Sequence, residues 1–154
     1  MRRADKEIKS KSEMERIIRS VNTCRVGFVD GNKPYVLPFN FGYSKGAIYI
    51  HCATEGKKLD LIRKNSNVFV EIDTDNAAVG ASDPCNYGFR YRSVLSPGKA
   101  SIITGEKEKV MALGVIMRHI TGMSFRKFNI SKMASIRIIK VVLNGMTGKK
   151  SGYN

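Results

Sequence analysis

Two turn signals, Gly31-Asn32 and Ser44-Lys45-Gly46, each stand between runs of β-branched and aromatic residues. Strands separated by so few residues pair antiparallel, because a parallel crossover needs a dozen residues or more. Cys24 to Asp30 forms the first of these strands, and residues 34–43 the second, with Tyr35, Leu37, Phe39 and Phe41 on one face. Ala47 to Cys52 forms the third. This half of the chain is a run of hairpins, which argues against a doubly wound parallel sheet.

Within the second strand, Pro38 has no N–H to give to a ladder. It marks an edge, a bulge, or a place where the strand's outer side meets something other than a strand, and a flat ligand lying along the backbone suits such a place.

The third strand hands over to a helix. Ile48, Tyr49 and Ile50 are strand formers, Thr54 offers an N-cap oxygen, and Leu59, Leu61 and Ile62 begin a helical apolar face that ends at Asn65, a residue tolerant of the left-handed C-cap. A helix N-terminus exposes unpaired N–H groups; Gly56 allows close approach, and Lys57 and Lys58 add charge. That combination suits a phosphate, the other reading being a solvated basic turn.

The remaining elements follow from periodicity. Residues 1–11 are charged and read as a flexible basic arm, leaving 12–154 as a single domain. Ser12 and Glu15 form a capping box for a helix with Met14, Ile17, Ile18 and Val21 on one face. Val68 to Asp73 is a fourth strand, 74–89 a loop, and a long strand from Arg90 to Ile103 is expected to kink or bulge at Pro97-Gly98. A helix capped by Thr104 carries Val110, Leu113, Met117 and Ile120 on one face and stops at Thr121-Gly122. A basic loop with Phe125 and Phe128, a strand from Ala134 to Asn144 and a polar tail at Lys149-Lys150 complete the chain. About six strands and three helices describe a mainly β fold, an antiparallel barrel closed or nearly closed, with peripheral helices.

Charge and cysteine content narrow the function classes. A net charge of +14 invites nucleic acid, an anionic cofactor or a negatively charged partner. Tyr87-Gly88-Phe89-Arg90-Tyr91 partly imitates an RNA-stacking strand but lacks its leading basic-Gly pair, so nucleic acid is not the expected partner. No apolar run approaches the ~18 residues of a membrane span, and the first residues lack a signal peptide's apolar stretch, so a cytoplasmic protein with no membrane partner is expected. Cys24, Cys52 and Cys85 are odd in number with no Cys-x-x-Cys, which predicts buried free thiols and no metal site. Neither a Ser-His-Asp order nor a His-Glu-x-x-His motif is present, and His119, near a helix C-terminus, reads as structural.

Three segments in order, residues 34–43 (PYVLPFNFGY), 48–60 (IYIHCATEGKKLD) and 90–94 (RYRSV), resemble the FMN-binding split-barrel superfamily that includes pyridoxamine 5′-phosphate oxidase. The sequence is most similar to the branch related to nitroimidazole-resistance proteins, over almost the whole chain. The resemblance implies a six-stranded split barrel and a homodimer with FMN at the subunit interface, its phosphate near Thr54, Gly56, Lys57 and Lys58. It implies that Lys58 reaches the phosphate, that Lys57 stands where relatives carry arginine, and that Leu37, Pro38, Phe39 and Asn40 follow the isoalloxazine edge. Ser93 falls where the superfamily points a polar side chain toward the ribityl chain or the phosphate, and His51, the candidate catalytic residue, where this branch often carries histidine, in reach of the flavin or a substrate. The activity implied is FMN-dependent reduction of small electrophiles such as nitro-aromatics, with a small-molecule electron acceptor and a nicotinamide donor. The alternative is a non-catalytic FMN or haem binding or storage protein. Oxidation of pyridoxamine phosphate itself is not expected, because the C-terminal Arg-rich substrate segment of those enzymes has no counterpart here.

Overall fold

In the computed structural model, which describes residues 3–153 except Arg126, the elements run β1 (Glu7–Ile8), α1 (Lys11–Ser20), β2 (Thr23–Asp30), β3 (Lys33–Asn40), β4 (Gly42–Ser44), β5 (Ala47–Ala53), α2 (Lys57–Lys64), β6 (Asn67–Val79), β7 (Gly88–Ile103), α3 (Glu106–Thr121), α4 (Ile130–Ala134), β8 (Ile136–Leu143) and β9 (Thr147–Ser151). All strand pairings are antiparallel, in the order β3-β2-β6-β7-β8-β5-β4, with β9 joined to β7 and β1. The strands β3 and β4 end this path on opposite sides, yet only Phe41 separates them in sequence. The sheet must therefore roll until its two ends approach, and the result is a barrel left open along one seam. Phe41 plugs that seam, fully buried.

The expected six strands are the six longer ones, except that the second, expected over 34–43, breaks at Phe41 into β3 and β4; β1 and β9 are short additions of 2 and 5 residues. Alternation sets the core. Cys24, Val26 and Phe28 of β2, Val68, Val70 and Ile72 of β6, Ile48 and Ile50 of β5, and Ile139 and Val141 of β8 all point inward. Outside the barrel, α3 covers Ala47, Tyr49, Ile103 and Ile138 with Ala112 and Ile116.

Several expectations are corrected. Residues 3–10 are seated rather than loose: Glu7 pairs with Lys149, Ile8 with Gly148, and Ile8 is 3% exposed. Gly148 makes this possible, since a Cβ there would lie 2.7 Å from the Ile8 Cβ and 2.8 Å from the Met14 Cγ. One apolar residue in a charged segment was enough to anchor it, and Lys149-Lys150 is strand rather than tail. The Ile8→Ala substitution is expected to destabilise the protein by roughly 2–4 kcal/mol in urea denaturation, the cost of an emptied core position, whereas a free arm would register nothing. The cap of α1 is Ser10, which accepts a hydrogen bond from the Glu13 N–H at 3.3 Å, so Ser12 lies inside the helix.

The core face of α3 is Lys109, Ala112 and Ile116, with only Leu113 of the expected face partly buried against it. Lys109 enters the interior because its ammonium donates to the carbonyls of Met133 and Ile136 at 3.2 and 2.9 Å, closing the end of α4 onto α3. The N-cap is Gly105, without a side-chain bond, and the stop at Gly122 is left-handed as expected. Residues 74–79 and 88–89 are paired strand, not loop, with the register shift between Thr74 and Ala77. The ladder runs unbroken through Pro97 and Gly98, where a Cβ on Gly98 would meet Val141 Cγ1 at 2.7 Å; that glycine admits β8 rather than bending β7. Asn65 closes α2 in an extended conformation, with φ −148°.

Candidate functional site

The strand β5 sorts its residues by parity. Ile48, Ile50 and Cys52 face the barrel interior, while Ala47 and Tyr49 face outward beneath α3. His51 shares that outward row beyond the cover of α3, and is exposed with no hydrogen-bond partner among the described residues.

Three residues then turn the chain from strand to helix. The cap position of α2 is Gly56, at φ 127°, a conformation that only glycine holds without strain. Thr54 therefore does not cap the helix; the sharpness of the turn outranks the cap preference of a threonine two positions early. The Gly56 carbonyl accepts from the N–H groups of Leu59 and Asp60 at 2.9 and 3.4 Å, leaving those of Lys57 and Lys58 facing out of the helix end.

The two lysines diverge. The Lys57 ammonium lies 2.6 Å from Asp30 Oδ2 and 4.7 Å from the centre of the Tyr35 ring, so it is held by the β2–β3 hairpin, and its hydrogen bond to Asp30 holds its pKa up. Lys58 makes no ion pair or side-chain hydrogen bond among the described residues, and it is half-buried. It lies near Cys52, whose register partner across β5–β8 is Arg137. Burial pushes the Cys52 thiol up, and Lys58 and Arg137 pull it back. Both cations thus act on Cys52; a Cβ on Gly56 would lie 3.9 Å from the Lys58 ammonium, beside the open end of α2, and Arg137 also donates to the Ile136 carbonyl at 3.2 Å. Arg137 was not a candidate from sequence: it is some 80 residues from the turn, and only strand pairing brings it there.

The other candidates fall in two places. In β3, the free edge of the sheet, Leu37 and Phe39 turn inward and Pro38 and Asn40 outward, so Pro38 stands at an edge as its missing N–H requires. This edge leads away from Tyr35, the residue that Lys57 covers. Ser93 points outward on β7, opposite Asp73 and Lys149. Through the pairings Leu95–Glu71 and Glu71–Arg25 it is level with Thr23, the end of β2 remote from Asp30, roughly 20 Å from Lys57 at the usual rise per residue. Within one chain the structure gathers His51, Thr54, Gly56, Lys57 and Lys58 and adds Arg137; residues 37–40 run away from these along the β3 edge to Asn40, which pairs with Thr23, and Ser93 stands apart, two strands further round from β2.

Cys24 behaves as a small core residue, its thiol pushed by burial up to about 12, while Cys85 is exposed rather than buried. No cluster of His, Cys, Asp and Glu among the described residues is placed to hold a metal, and none of their helices is long and apolar enough to cross a membrane. His119 accounts for itself structurally: Nε2 lies 2.7 Å from the Val21 carbonyl, so it is the protonated nitrogen, and the ring packs on Phe41 at 4.7 Å.

Residues 10–150, nearly the whole chain, match the model of the family described as pyridoxamine 5′-phosphate oxidase. The chain belongs to that family. Among solved structures it is similar to a candidate 5-nitroimidazole antibiotic resistance protein from Bacteroides thetaiotaomicron, with 34% identity, 94% of this chain and 86% of that one covered, and a TM-score of 0.83. The FAD and haem binding protein of Mycobacterium smegmatis shares the fold at 19% identity, with 96% and 74% covered and a TM-score of 0.84. The same holds for a flavocytochrome from Azotobacter vinelandii, at 16% identity, with 99% and 72% covered and a TM-score of 0.85. No curated protein matches the chain. In this member of the pyridoxamine 5′-phosphate oxidase family, the convergent cations, the open N–H groups and the uncrowded glycine suit a terminal phosphate.

Proposed function

We propose that the chain is an FMN-binding flavoprotein that acts as a homodimer and reduces small electrophiles such as nitro-aromatics with electrons from a nicotinamide donor. The observation that carries this reading is the anion cradle formed by Gly56, the first N–H groups of α2, Lys58 and Arg137, next to a free sheet edge that a flat ring can line. A terminal phosphate dianion suits two converging cations better than an internal diester does, which favours FMN over FAD. The flavin, when bound, supplies the two-electron chemistry. The chain's own residues hold and orient it: Lys58 and Arg137 fix the phosphate, residues 37–40 meet the ring edge, and the exposed His51 imidazole stands available to hydrogen-bond an acceptor.

Support for the dimer comes from the outer face of β3, β2 and β6. Val36, Val29 and Phe69 are exposed there at 57, 45 and 49%, around Gly27, and the patch continues toward Leu95 on β7. Ser93 belongs to this same face, so in the proposed dimer it serves a flavin across the interface, a contact its distance from Lys57 forbids within one chain. Phe69→Lys, a change on the exposed face, is expected to yield a folded monomer in sedimentation analysis with lowered flavin content. A dimer that keeps its flavin would remove this face from the proposal.

The resemblance in fold to an FAD and haem binding protein keeps a carrier as the second reading. The discriminating experiment is turnover of a nitro-aromatic with NADH or NADPH by the flavin-loaded protein. Steady consumption supports the reductase; full flavin occupancy with none favours the carrier.

A further inference from the structure

At the end of β5 away from the phosphate turn lies a cleft of about 540 Å³, bounded by the end of α1, by β4, by the last turns of α3 and by residues 124–125. From Ala47, beside it, to Cys52 is five strand residues, roughly 17 Å. Its polar wall holds two cations, Arg19 and Arg118, with the His119 ring beside them, and no carboxylate among the described residues lines it. Its apolar wall is Phe125, Met111 and the ring of Tyr43.

A neutral hydroxyl holds Arg118, while Arg19 stands between a carboxylate and a ring. Arg118 donates through Nε and a terminal nitrogen to Ser124 Oγ, at 3.1 and 2.7 Å, and has no acidic partner among the described residues. The nearest carboxylate to Arg19 is Glu15, at 3.8 Å, and the guanidinium stacks over Tyr43 at 4.8 Å. His119 gives its Nε2 proton to the Val21 carbonyl. Tyr43 holds the one buried side-chain polar atom without a hydrogen-bond partner among the described residues, its hydroxyl; burial first, and then Glu15 nearby, push that phenol's pKa up. Met111 and Phe125, at 49 and 39% exposed, leave the apolar wall open, and Gly114 keeps the floor clear between them.

We propose that this cleft is a second ligand site, separate from the flavin cradle, for a small organic anion that combines a carboxylate or phosphate group with an aromatic or branched apolar body. Arg118 and Arg19 take the acid group, and Phe125, Met111 and the Tyr43 ring take the body. The volume lies within the range of small-molecule sites, and the division into a few cations and an apolar wall is their usual make-up. A fixed guanidinium presents paired donors to either kind of acid group.

The test is calorimetric titration of the full chain, loaded with flavin, with phenyl phosphate and with benzoate, each followed on Arg118→Gln and Arg118→Lys. The proposal expects saturable binding of at least one probe, with the stronger probe identifying the acid group. It expects a tenfold or greater loss in Arg118→Gln, partial recovery in Arg118→Lys, and unchanged flavin absorbance throughout. Gly114→Leu, which fills the cleft without touching its charges, should abolish binding while leaving the circular dichroism spectrum intact. Absence of binding by both probes would overturn the proposal, as would equal binding by wild type and Arg118→Gln. Binding that displaces flavin would place the probes in the cradle instead, and so overturn this site without touching the flavin reading.

Discussion

Gly42→Ala is expected to destabilise the protein by roughly 3 kcal/mol or more, one of the largest effects available to a single methyl group in this chain. The residue lies in β4 directly beneath α3, where an added Cβ would stand 2.5 Å from Ile116 Cα, 2.6 Å from Ile116 N and 2.8 Å from the Val115 carbonyl carbon. These are backbone atoms, so no side-chain rotation relieves the contact, and the helix must lift from the sheet. Ala112 and Ile116 would then lose their seat on Ala47, Tyr49 and Ile138. The check is a urea midpoint that falls with its slope unchanged. Gly114→Ala is the control: the new Cβ meets only the Phe125 carbonyl, at 3.4 Å, and the gain in helix propensity of about 1 kcal/mol offsets that contact. Equal midpoints for wild type and Gly42→Ala would show that α3 does not pack as described.

The second large effect concerns ligand affinity. Lys58→Ala should weaken FMN binding by roughly 1.5–3 kcal/mol, about ten- to a hundredfold, the usual worth of a charged hydrogen bond. Arg137→Gln should act comparably, and neither should change the binding of riboflavin, which has no phosphate. Lys57→Ala should matter less, because Asp30 already engages that ammonium and its charge is largely answered within the chain. Fluorescence titration of each variant with both flavins reads these differences. If Lys57→Ala were the most damaging of the three, Asp30 would have to release the lysine on binding and the cradle would centre on the other side of Gly56.

Much of this is legible in the sequence. Hairpin turns gave the antiparallel sheet, and Pro38 pointed to an edge that β3 does form. The turn between β5 and α2 stood out because glycine, two lysines and a helix start occur together. What stayed hidden depended on residues remote in sequence or on exceptions to patterning. Arg137 reaches the cradle only through the β5–β8 register, and Ile8 joins the core only because Gly148 makes room. Lys109 reads as a surface residue until its ammonium finds two carbonyls, and that shifts the buried face of α3 by one position. The extension of β6 and β7 through residues 74–79 and 88–89 has both faces largely exposed, so no alternation of apolar residues could announce it. Ser93 shows a different limit: local motif similarity placed it with the flavin, but within a single chain several strand residues and two strand-to-strand steps separate it from the end of β2 that holds Lys57.

On the proposed function, the turn at Gly56 opens onto a site for a flavin that ends in a phosphate. The most direct measurement is the absorbance spectrum of the purified protein, before and after titration with FMN and, separately, with riboflavin. Flavin bands that report saturable uptake of FMN, markedly tighter than riboflavin, are expected. Folded protein that takes up neither flavin, or that binds both equally well, would contradict the proposed function.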